Sequence, residues 1–170
     1  MILPLPEKFD ANEIFILCST VLTLALMYKL PRYLSIVTII IIWLFNVFLA
    51  LTADITLSVK PYELYYTIDH NTHELFDELL HFVTYPTLPY FVVNFYHFFK
   101  PKGVKLISYI VFWSGIAIML EWISVKFHVF TYTGWNLLLS FVVYLVVFTA
   151  NIWLADFIEK KHPSKWTTTH

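Results

Sequence analysis

The sequence predicts an all-α fold, a polytopic membrane helix bundle of five transmembrane helices. Two observations predict it. Of the 170 residues, 59% are hydrophobic and only 14% are charged, with a mean hydropathy of +0.69. A soluble domain carries roughly a quarter charged residues, too many for this inventory to match. The charges also fall in clusters, leaving five long stretches that hold almost none. A membrane β-barrel would need alternating apolar and polar residues, and that pattern is missing. Helices are then the remaining way to satisfy the backbone within lipid.

A span needs about 20 apolar residues. Fifteen uncharged residues separate Glu13 from Lys29, and 21 separate Arg32 from Asp54. Another 21 lie between Glu78 and Lys100, and 29 between Lys126 and Asp156. The 20 between Lys105 and Lys126 are interrupted only by Glu121. The expected spans are about 12–30, 33–53, 77–99, 105–125 and 134–155, in a single integral membrane domain over 1–170. Residues Met1 to Glu13 hold one Lys and three acids rather than a basic leader, so the first helix is expected to be retained. Cys18 is the only cysteine and lies in an apolar run, which excludes a disulfide-stapled fold. Eleven basic residues against 12 acidic ones exclude a basic nucleic-acid binder.

Basic residues mark the cytoplasmic loops. Lys29, Arg32, Lys100, Lys102, Lys105, Lys160, Lys161 and Lys165 share one side of a five-span chain, against Lys8, Lys60 and Lys126 on the other. The N-terminus is therefore expected outside and the C-terminus inside. Ten acids then fall on the outer side or in the outer part of a span, and only Asp156 and Glu159 inside. That gives the outer face a negative potential suited to cations or polar head groups. A plain solvated surface is the other reading.

The longest connection carries Asp69, His70, His73 and Glu74, then Asp77, Glu78 and His81 at the head of the third helix. Asn71 with Glu74 fits a capping box. Glu78-x-x-His81 is the spacing that aims two side chains at one metal in di-metal bundles, although such sites need two copies. First-turn acids also favour the positive end of the helix dipole with no ligand at all. Glu121 is more demanding. It lies about 24 Å along its helix from Lys105, in the outer half of the span. An acid there normally faces the bundle interior and has partners. The expected site is Glu121 with Asp77, Glu78 and His81, roofed by His128, Tyr132 and Trp135. Glu121 and Glu78 are the candidate catalytic acids, and His81, Glu78 and Glu121 the candidate metal ligands. No cofactor is called for beyond a divalent cation. No mid-span lysine offers a Schiff base, and His97 stands alone near the inner end of its helix. The partners expected are the lipid bilayer and a second copy or another membrane protein, with no nucleic acid. Pro86 and Pro89 interrupt the third helix and are expected to shape it. Tyr28, Tyr33, Tyr62, Tyr65, Tyr66, Tyr96, Trp122 and Trp166 fit interfacial belts.

Glu121-Trp122, an aromatic turn, and Tyr132-x-Gly134-Trp135 together resemble the signature of a family of small uncharacterised multi-pass membrane proteins of Gram-positive spore-forming bacteria. That family's pattern has Gly where this chain has His128. The resemblance implies a bacterial cytoplasmic (inner) membrane and no particular biochemistry. A weaker resemblance is to membrane lycopene cyclases, through the acid pair Asp77-Glu78 followed by Pro86; Phe76 stands where those enzymes carry a proline. It implies general-acid protonation of a polyene. Two function classes follow. One is a membrane component binding a cation, lipid head group or protein partner. The other is a small intramembrane enzyme acting on an isoprenoid or lipid.

Overall fold

The computed structural model describes residues 9–68 and 75–164. Helix α1 spans Ala11–Lys29. Its N-cap, Asp10, accepts from the Asn12 N–H, and Glu13 reaches back to the Asp10 N–H at 2.8 Å, which closes a capping box. Helix α2 spans Ile36–Ala53 behind an N-cap at Ser35, and continues as a π-helical turn, Asp54–Ser58. Strand β1, Tyr65–Thr67, pairs antiparallel with β2, Phe130–Tyr132, so that Tyr65 faces Tyr132. Helix α3, Leu75–Leu79, a π-helical turn, Leu80–Thr84, and helix α4, Tyr85–Phe99, follow one another without a break. Helix α5 is Val104–Lys126 and helix α6 is Leu137–Lys161, the latter capped by the Asn136 side chain.

Four helices are long and apolar enough to cross a membrane: Ala11–Lys29, Ile36–Ser58, Val104–Lys126 and Leu137–Lys161. The fifth rod, 75–99, differs in kind. From Pro86 to Asn94 every residue except Leu88 is buried. Helices α1, α2 and α6 pack around it. Its sequence is the most polar of the five stretches because protein, rather than lipid, surrounds it. Helix α5 is the opposite case. It packs on α6 and turns Ile107, Val111, Phe112, Met119 and Leu120 outward. Such a surface fits a lipid bilayer and not water. The last helix runs six residues beyond the expected boundary of 155, because Glu159 is buried inside the bundle and not in a solvated tail.

Proline chemistry explains the third rod. Pro86 has no N–H, so the carbonyl of Phe82, four residues earlier, loses its helical donor. The Trp43 indole Nε1 from α2 donates to that carbonyl at 2.9 Å. The π-helical turn sits at the same place, and the Tyr85 N–H reaches back five residues to the Leu80 carbonyl. The turn is therefore the local adjustment to Pro86, and it sets the direction in which Asp77 and His81 point.

Buried polar pairs knit the helices together. Asn46 of α2 and Asn151 of α6 exchange amide hydrogen bonds, at 2.6 and 3.1 Å. Thr20 and Thr84 share one of 2.6 Å. Asn94 holds the α1–α2 connection through the Pro31 carbonyl and the Tyr33 N–H, both at 2.9 Å. Glu159 accepts from the Ser35 N–H, the Thr38 hydroxyl and the Ser164 N–H. It ties the start of α2 to the end of α6.

Candidate functional site

The expected site residues gather at one end of the bundle, the end that carries the β1–β2 strand pair. Glu121 lies in the next-to-last turn of α5. The Tyr132 hydroxyl of β2 donates to its Oε1. The Ser140 hydroxyl of α6 donates to the same oxygen at 2.6 Å. Ser140 in turn accepts from the Trp135 indole at 2.7 Å. Trp135, Ser140 and Glu121 thus form a hydrogen-bonded relay, and the acid's partners are a tyrosine and a serine. Tyr144, one turn further along α6, also interacts with this carboxylate.

Asp77 and His81 form a second group. The His81 Nδ1 lies 2.8 Å from the Asp77 carbonyl and 3.3 Å from its carboxylate. A carbonyl only accepts, so Nδ1 carries a proton. Both side chains are buried. The ring of His81 meets Tyr85 edge to face at 5.3 Å. Glu78 is half-buried on the adjoining face of α3.

Two tyrosines connect the groups. Tyr65 lies within electrostatic reach of Asp54, Asp77 and Glu121. Tyr85 is similarly placed to Tyr144, Tyr65, Asp77 and Glu121. Asp54, in the π-helical turn after α2, is buried too. Asp54, Asp77 and Glu121 come from three different rods, and all three act electrostatically on Tyr65. Burial first, and then those three carboxylates, push the Tyr65 hydroxyl well above its ordinary range. Burial and the hydrogen bond to Glu121 do the same to Tyr132. Both stay protonated at any physiological pH, and Tyr132 donates to Glu121.

The long-range pairing of β1 with β2 is what brings Tyr65 and Tyr132 together, and Gly134 lets the chain after β2 pack closely on Leu64. The N–H groups of Thr133, Gly134 and Trp135 all point at the Leu64 carbonyl, each at 3.0 Å. A Cβ at 134 would stand 3.0 Å from the Leu64 Cδ2. His128, in the preceding turn, has a φ of 57° and is exposed. Glycine is the usual occupant of that left-handed region, with Asn, Asp and His tolerated. Tyr132 and Trp135 join the site through Glu121 and Ser140. Asp69, His70, Asn71, His73 and Glu74 lie outside the described residues, the expected Asn71–Glu74 capping box among them.

Sequence reasoning missed Ser140, Tyr144 and Asp54 as members of the site, and assigned Tyr65 to an interfacial belt. Ser140 and Tyr144 carry a readable signal: with Glu121 opposite, they mark one face of α6 at four-residue spacing. Among the described residues no three His, Cys, Asp or Glu side chains converge as a metal-ligand set. No known family model, curated protein or solved structure matches this chain.

Proposed function

We propose that this is a five-span membrane protein, with its N-terminus and the end carrying the β1–β2 strand pair outside, which binds a cation or the cationic part of a lipid head group between Glu121, Asp77 and the surrounding tyrosines. The basic-residue count supports the orientation. The observation that carries the binding reading is a pair of acids from two rods at one end of the bundle: Glu121, held by Tyr132 and Ser140, and the buried Asp77 beside His81. Gathered negative charge away from water is costly unless a positive charge or a proton joins it. Aromatic rings line the same place, with Tyr65 edge-on to Trp135 and to Phe130, each at 6.4 Å. Rings of this kind attract organic ammonium groups.

The enzymatic alternative asks Glu121 to be a neutral acid. Its Oε1 is instead already held by two donated hydroxyl groups, from Tyr132 and Ser140. The binding reading therefore accounts for more. The test is the melting temperature of the purified full chain in detergent, with choline or magnesium chloride compared with sodium chloride at equal ionic strength. At least one of the two is expected to raise it by mass action on the folded state. The rise is expected to disappear in Glu121→Gln. If neither cation stabilises the wild-type protein, the reading fails.

A further inference from the structure

Helix α1 carries a buried acid that the site above does not use. The buried residues of this helix, Asn12, Glu13, Ile16 and Thr20, share one face. That face packs on the third rod: Thr20 bonds Thr84, and Ile16 joins a cluster with Phe76 and Leu80. Phe9, just ahead of the helix, meets the Phe76 ring edge to face at 5.8 Å. Glu13 is 0% exposed. Its Oε2 accepts the Asp10 N–H at 2.8 Å, while its Oε1 is buried with no hydrogen-bond partner. The neighbouring Asn12 is 1% exposed. Its Oδ1 accepts the Glu13 N–H at 2.7 Å, and its Nδ2 has no partner either. We propose that Glu13 is a proton-binding site: Oε1 carries a proton in this packing, and loss of that proton releases the first turn of α1 from the third rod.

The unmet oxygen decides between occupants. An ionised carboxylate oxygen buried away from water needs a positive charge or a donor. Among the described residues no lysine, arginine or histidine forms an ion pair with Glu13. The titratable groups on the elements around it are Asp10 at its own cap, and Asp77, Glu78, His81 and Tyr85 on the third rod. Lys126 and His128 flank Phe127, whose ring stacks on Phe15 at 4.8 Å. His81 is engaged with Asp77, Lys126 lies over the Trp122 ring, and His128 is exposed. The burial of Oε1 leaves no room beside it for a metal ion, and a proton needs none. The Asp10 N–H and the positive end of α1 favour the anion. They meet one oxygen only, and the neutral acid avoids the larger cost of an unmet charge on the other. Once ionised, Glu13 gains by reaching water, and the unmet Asn12 amide gains with it. Both do so when the first turn moves away from Phe76. Phe76 precedes Asp77 in the chain, so this movement bears directly on the acid site.

The experiment compares the full chain in detergent with Glu13→Gln, which copies the neutral acid in shape. At about pH 6, above the ordinary glutamate value, the wild type is expected to show the infrared carbonyl stretch of a protonated carboxylic acid that the variant lacks. Equilibrium unfolding supplies the second readout. The folded chain holds a proton that the unfolded chain releases above about pH 4.3, so stability falls as pH rises. Relative to Glu13→Gln, the wild-type folding constant is expected to fall by up to about tenfold per pH unit above that value. The two proteins are therefore closest in acid and diverge as pH rises, with the glutamine variant the more stable. Amide exchange in the first turn of α1 is expected to quicken beyond its intrinsic pH dependence in the wild type only. Glu13→Met, neutral and of similar length, carries the comparison if Glu13→Gln does not fold. An acid band that both proteins share, or that neither shows, would overturn the proposal. So would a stability difference between the wild type and the neutral variant that does not change with pH.

Discussion

Ser140 and Glu121 come from different helices, α6 and α5, and meet in a hydrogen bond of 2.6 Å at the end of the bundle that carries the β1–β2 strand pair. The serine hydroxyl is fully committed: it donates to the acid and accepts from Trp135. Every substitution along this relay therefore has a defined consequence.

Glu121→Gln keeps the shape and an acceptor oxygen for Tyr132 and Ser140. It is expected to change thermal stability little. Glu121→Leu strands both hydroxyl groups and is expected to cost about 1–3 kcal/mol. Unfolding in detergent, followed by tryptophan fluorescence, separates the two. A glutamine variant as unstable as the leucine variant would show that the charge, and not the hydrogen bonding, holds the site.

The Asn46–Asn151 pair calls for a double-mutant cycle. Either asparagine changed alone to leucine leaves the other amide without its partner across the helices. The double change to leucine removes both groups together. Each single variant is expected to lose about 1 kcal/mol, and the double variant less than the sum. Additive losses, measured by equilibrium unfolding, would mean that the two amides are not coupled.

Trp43 and Pro86 are coupled through a carbonyl that neither of them owns. Trp43→Phe keeps the ring but removes the donor to the Phe82 carbonyl, and is expected to cost about 1 kcal/mol. In a Pro86→Ala background residue 86 has its own N–H for that carbonyl. There Trp43→Phe is expected to be nearly silent. Equal effects in both backgrounds would sink the proline account of the π-helical turn.

Cysteine accessibility checks the orientation. With Cys18 removed, a cysteine at Thr67, the last residue of β1, is expected to react with an impermeant thiol reagent applied from outside. One at Gly103, between α4 and α5, is expected to be protected. The reverse pattern would invert the chain in the membrane.

At position 128, glycine is expected to be tolerated or slightly stabilising, by up to about 0.5 kcal/mol, because the backbone there has a positive φ. A β-branched residue such as valine is expected to be clearly worse. Melting temperatures of His128→Gly and His128→Val check the order.

Much of the architecture was legible in the residue order. The limits of the helices follow from where charges stop and start, because lipid tolerates so few of them. Lys29, Lys126 and Lys161 each lie at the end of a helix. Glu121 announced a polar interior site on its own, since an acid at that depth must find partners. The residue order could not name those partners. Ser140 is an ordinary serine in an apolar run, and only the packing of α5 on α6 puts it against the acid. His97 read as isolated because Asp156 is 59 positions away in the chain, and only the contact between α4 and α6 joins them. Within a membrane, spacing along one helix shows which residues share a face. Which face meets which is settled by the fit of side chains between helices, because lipid supplies no hydrophobic contrast to choose it.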